Sequence, residues 1–250
     1  MFDAVFTAKS VAADWQNLLG ALPPNLNGLV QLFEEADYAM PPATHFSLDG
    51  VTIANIGAKV EAHASTLAVA AHHDEARKQA RLALAQEVIQ AAGAAVPTVI
   101  EKLQPEFDDA VGAYLAAVAV LPERFTADQL LGDSAIEAAH KAASEAASRI
   151  KRIDTWLGRT ADLPGYVTTE RSSVMRVVAA SDRNQLQALL DAGTQKTSPA
   201  EQKIVPTYRV AADLGLTWRM APQAEAENLR REINAMPAVK KAIRFASVNR

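Results

Sequence analysis

The chain contains no cysteine, which excludes disulfides, thiolate metal ligands and cysteine nucleophiles and fits a reducing compartment. Glycine is scarce, 11 of 250 residues, and there is no phosphate-cradling loop, dinucleotide fingerprint or Gly-x-Ser-x-Gly elbow. Ser134 and the pair Ser172 and Ser173 have no base close in sequence in any triad-like arrangement. An enzyme is therefore not expected. The longest uncharged apolar run, residues 110–121, falls well short of the ~18 residues that read as a membrane span and suits a buried helix. Residues 1–10 lack a basic lead and a long apolar run, so no secretory signal is expected. These absences predict a soluble protein with no transmembrane segment, located in the cytoplasm or in a particle assembled there.

What the chain has in quantity is alanine, about a fifth of all residues. Alanine loses no side-chain entropy in a helix, so the bias favours helix along most of the sequence. The sharpest pattern lies between Ser134 and Gly158. Ile136, Ala143, Ile150 and Leu157 recur every seven residues, and Ala139, Ala146 and Ile153 follow the first three by three. Such an a/d seam of small residues lets two helix axes approach closely, so these seven positions are the candidate interaction seam.

A partner helix is predicted from Gly57 towards Leu121. Val60, Ala64, Leu67 and Ala71 form one apolar stripe; after a phase shift near Glu75, Leu82, Ala85, Ile89, Ala92, Val96, Val99 and Leu103 form another. Pro97 and Pro105 should each kink or break this helix, because proline removes a backbone donor and its ring clashes with the preceding turn. The short connection to Ser134 predicts an antiparallel hairpin between residues 98–121 and 134–157. The predicted fold is thus all-α: an extended antiparallel helical hairpin or bundle with an alanine-rich heptad seam, flanked by short helices. Three segments follow: 1–56, helical with a small β-hairpin signalled near 45–53; 57–160, the long-helix hairpin; and 161–250, helical again. The hairpin signal is Asp49-Gly50 between alternating apolar runs.

Local punctuation marks the flanking helices. Pro23 and Pro24 end the first, with Asn25 or Asn27 expected to cap the second. Thr126 to Gln129 has capping-box spacing, as does Ser198-Pro-Ala-Glu201, which also places proline at the first helical position. Gly158 is expected to end the heptad helix. A last helix is expected from Pro237, with Val239, Ile243 and Ala246 on one face and Lys240, Lys241 and Arg244 on the other.

Charge is uneven. Residues 1–56 carry Lys9 against six acids, a net of −5, whereas residues 201–250 carry nine basic residues against five acidic ones, a net of +4. Opposite signs at the two ends favour closure of the chain or head-to-tail contact between copies. Arg230, Arg231, Lys240, Lys241 and Arg244 are candidate contacts to an anionic partner, but nucleic acid usually demands a denser patch. Two clusters have metal-capable side chains at helical spacing, His72 with Glu75 and Glu137 with His140. The second matches the Glu-x-x-His of di-iron bundles, which also need two further glutamates and a second Glu-x-x-His, and the chain has no second copy of that motif. Exposed helix polarity accounts for both clusters, so no metal and no cofactor is expected.

These features point to a non-enzymatic structural or interaction protein that self-associates or docks protein partners through long alanine-rich helices, as components of larger assemblies such as phage particles do. The alternatives are a helical protein that binds metal or a lipid or granule surface, or one that contacts nucleic acid through its basic C-terminal helix.

Overall fold

The computed structural model describes residues 3–122, 125, 132–171 and 174–236. Among them are eight helices and one two-stranded sheet, so the chain is all-α. The expected cap at Thr126–Gln129, the serines Ser172 and Ser173, and the last helix with Lys240, Lys241 and Arg244 lie outside the described residues. The chain forms two compact units, Met1–Ala95 and Val96–Arg250. Their boundary falls inside a helix, where the sequence shows no composition break.

In the first unit, α1 (Ala4–Leu19) starts on the Asp3 side chain, which accepts from Phe6 N–H, and stops at Gly20 in the left-handed region. It buries Ala8, Val11, Trp15 and Leu18 at helical spacing. α2 (Pro24–Tyr38) buries Leu26, Val30 and Phe33. Its cap is neither asparagine: Pro24 occupies the first turn, where a missing N–H costs nothing. The two prolines thus stop one helix and start the next. Residues 45–53 form no strand. Asp49-Gly50 does make a turn, closed by Val51 N–H on Leu48 O at 3.2 Å with Gly50 at φ +67°, but the flanking residues pair with nothing as a ladder, because a lone ribbon is marginal in water.

α3 runs from Ile56 to Val118 and continues through Pro97 and Pro105 without a break. Both prolines sit on its exposed side, while Val96, Val99, Leu103, Phe107, Ala110 and Tyr114 bury one face. Each proline costs ~3 kcal/mol in a helix interior, and each large side chain buried beside it returns ~1.5–3 kcal/mol. That face holds the helix together across both sites.

In the second unit, α4 (Ser134–Arg159) is capped by Asp133, whose side chain accepts from Ala135 and Ile136 N–H. It runs antiparallel to the 96–118 stretch of α3. Arg149 pairs with Asp109 at 2.8 Å and Arg152 pairs with Glu106, so residue numbers rise by three on one helix and fall by three on the other. Gly158 does not end α4. The helix passes through it to Arg159 and tightens into a 3₁₀ turn, Thr160–Asp162.

Beyond that turn come β1 (Val178–Ala179), α5 (Arg183–Thr194), α6 (Pro199–Lys203), α7 (Pro206–Asp213), β2 (Thr217–Trp218) and α8 (Gln223–Ala235). β1 pairs antiparallel with β2, Val178 opposite Trp218. The Ser198 capping box forms as the sequence indicates, with Ser198 and Glu201 each accepting the other's backbone N–H. The helix that starts there ends at Lys203 and α7 begins afresh at Pro206, because Val205 between them sits at φ +56°. A residue before proline is pushed out of the α region, and a β-branched residue at positive φ is strained by ~1–3 kcal/mol. A core of Met175, Val178, Leu186, Leu189, Ala211, Leu216 and Ile233 joins these elements, with α5 packed on α7 and α8.

Candidate functional site

The predicted seam lies on the buried side of α4. Ala143, Ala146, Ile150, Ile153 and Leu157 are buried, and Ile136 and Ala139 near the start of the helix are half-buried. The buried band is wider than the seam, taking in Ala147, Asp154 and Trp156 as well. His140, Ala147 and Asp154 are seven residues apart and form a second column beside the seam. Through this column α4 meets the C-terminal elements. His140 Nε2 lies 3.0 Å from Ala200 O, which requires the proton on Nε2, since a carbonyl only accepts. Its ring also stands edge-on to Phe125.

Asp154 anchors the polar network that the sequence did not reveal. Its Oδ1 accepts from Arg176 Nε at 2.7 Å, and Arg176 Nη1 donates to Gln223 Oε1 at 2.8 Å. Gln223 Nε2 donates to Glu227 Oε1 at 3.0 Å. Gln223 N–H donates to Thr160 Oγ1, whose hydroxyl donates to Leu157 O. All five side chains are buried. The network surfaces through Arg230, which donates to Glu227 at 2.8 Å and to Glu170 at 2.5 Å; Arg231 lies 3.5 Å from Glu170. Hydrogen bonding with Glu227, and then with Arg230, holds the Glu170 carboxyl below its ordinary value. The same order of partners, Glu227 first, raises Arg230.

The two candidate anion contacts that are described, Arg230 and Arg231, are therefore already faced by carboxylates of their own chain. Their guanidinium groups close the network over α8.

Tyr208 donates to the second oxygen of Asp154 at 3.4 Å. With Tyr114 and Trp218 it forms a closed triangle of rings, with centroids 5.7–6.2 Å apart. Burial, and for Tyr208 also the Asp154 charge, pushes both phenols well above their ordinary value. Tyr114 donates to Ile204 O at 2.7 Å, fixing the peptide next to strained Val205. A half-open cavity of about 350 Å³ adjoins this point, lined in part by Lys196, Glu201, Pro206, Arg209 and Asp213. Three of its charged groups are already engaged: Asp213 accepts from Arg209 at 3.0 Å, and Glu201 is held in the capping box.

Among the described residues no group of three or more His, Asp and Glu side chains is placed to hold a metal. His72, Glu75 and Glu137 are exposed, and Glu75 accepts from Gln79 one turn along α3.

The first unit presents the other notable surface. In α3 between residues 63 and 84 the half-buried face carries His63, Thr66, Ala70, His73, Arg77 and Arg81. His63 stacks edge-on with Phe46, and Arg81 pairs with Asp37 at 2.6 Å and lies over the Phe33 ring. The apolar stripe that the sequence pattern picks out, Val60 to Ala71, points elsewhere and is exposed. Ile56, Val60, Leu67, Val69, Leu82 and Leu32 are each 41–57% exposed, and Phe6, Tyr38, Met40, Leu48 and Ile53 more so. Only five large apolar side chains are comparably exposed among the described residues of the second unit. By length and composition α3 also contains a window apolar enough to cross a membrane, but from Ala85 onward it supplies core side chains.

No protein-family model matches this chain, and neither a curated protein nor a solved structure is significantly similar to it.

Proposed function

We propose that this is a non-enzymatic interaction protein that associates with other protein chains, copies of itself first, through the N-terminal stretch of α3. The observation that supports this reading is the solvated stripe Ile56, Val60, Leu67 and Leu82 on a helix whose polar face is the one packed within its own unit. Apolar side chains left outside in register on a long helix suit a helix-to-helix interface, with alanines between them allowing close approach. The polar network and the aromatic triangle serve as the rigid base of the second unit in this reading. A place in a larger assembly, such as a phage particle, extends it.

The mass of the native protein by light scattering from 10 to 200 µM tests the proposal. Self-association should appear in that range and be weakened, with a lower mean mass at each concentration, in Val60→Glu with Leu67→Glu, whose helical circular dichroism should match the parent. A parent chain that stays monomeric throughout overturns the reading.

A further inference from the structure

The first unit contains a groove between α1 and α2, a cavity of about 560 Å³ floored by Ala12, Ala13, Leu22, Val30 and Phe33 and edged by Tyr38. Two small residues on one wall and large apolar ones on the other make it the shape that receives one face of a helix. Its rim carries Glu34 and Asp37 against Lys9; Glu34 is exposed and joins no ion pair among the described residues. Asp37 is already shared between Lys9 at 3.8 Å and Arg81 at 2.6 Å.

One stretch of this chain has the complementary chemistry. Residues 237–250 carry Lys240, Lys241, Arg244 and Arg250 and no acid. In helical register Val239, Ile243 and Ala246 share a face with the i, i+4, i+7 spacing of groove-binding anchors. We propose that the α1–α2 groove binds residues 237–250 of a second copy of this chain, with Val239, Ile243 and Ala246 in the groove and Lys240, Lys241 and Arg244 towards Glu34. The net −5 of residues 1–56 and the +4 of residues 201–250 give the encounter its direction, head to tail between copies. This surface is separate from the exposed stripe of α3, so either can fail without the other.

The absence of native cysteine makes the test direct. Full-length Ala13→Cys and full-length Ile243→Cys, distinguished by tags of different mass, are mixed under mild oxidation. The disulfide-linked heterodimer should form at least tenfold faster than with a control pair in which exposed Val167→Cys replaces Ala13→Cys. It should fall to the control rate when Lys240, Lys241 and Arg244 are changed to Glu, and slow several-fold at 0.5 M salt, as screened charge attraction requires. A heterodimer rate equal to the control overturns the proposal. So does cross-linking confined to single chains in the Ala13→Cys, Ile243→Cys double variant. Adding Val60→Glu and Leu67→Glu to both partners should leave the cross-link intact, which separates this proposal from the α3 reading.

Discussion

A β-carbon placed on Gly158 would stand 2.8 Å from Nη1 of Arg176. That nitrogen cannot retreat, because Arg176 is buried and held by Asp154 at 2.7 Å and by Gln223 at 2.8 Å. The glycine is inside α4 to let a guanidinium lie against the helix backbone.

Replacing glycine with alanine inside a helix ordinarily stabilises by ~0.5–1 kcal/mol. Here the sign should reverse. Gly158→Ala should lose ~1–3 kcal/mol, the cost of overpacking or of breaking a hydrogen bond to a charged group. Urea unfolding followed by circular dichroism measures it, and a midpoint at or above the parent's would refute the steric assignment.

Asp154 is the only carboxylate paired with Arg176 among the described residues. Asp154→Ala leaves that guanidinium buried without its counter-charge, a loss of ~3–5 kcal/mol. Changing the pair together, Asp154→Leu with Arg176→Met, should cost less than the single change, because no uncompensated charge remains. A double-mutant cycle by chemical unfolding checks the order; equal losses would show that the network contributes packing alone.

Tyr114 and Tyr208 retain their protons in the folded chain above the pH at which an unfolded tyrosine, with a pKa of ~10, ionises. The folded state therefore binds more protons than the unfolded state in that range. Their contribution is complete below pH ~10 and declines as pH rises from there towards the folded values. Thermal midpoints should fall between pH 10 and 11.5, and fall less steeply in Tyr208→Phe. Ultraviolet titration of the folded protein should show this pair ionising well above the ordinary ~10, and the loss of the late-ionising signal in Tyr208→Phe identifies it; a pair that ionises near pH ~10 would contradict the burial.

The legible parts of the fold are those set by neighbours in sequence. The Ser198–Glu201 cap is complete within four residues, and the seam from Ala143 to Leu157 is written in a seven-residue period, so both could be read directly. The stripe from Val60 to Ala71 was equally legible, but its exposure was not, since period alone does not say which face meets a neighbour. There the packed face is held by ion pairing and ring contacts of His63 and Arg81, types that a hydrophobicity pattern assigns to solvent.

By itself the sequence determined that the chain is helical, because alanine and the caps act within one or two turns. Four of the eight described helices also begin on a side-chain cap that acts within three residues, at Asp3, Asp133, Asp182 and Ser198. Only the tertiary structure decided that α3 survives its two prolines, that Gly158 accommodates Arg176, and that Asp154, Arg176, Gln223 and Glu227 are neighbours. Those outcomes depend on side chains tens of residues apart excluding water together, and that energy is not set by any local stretch of chain.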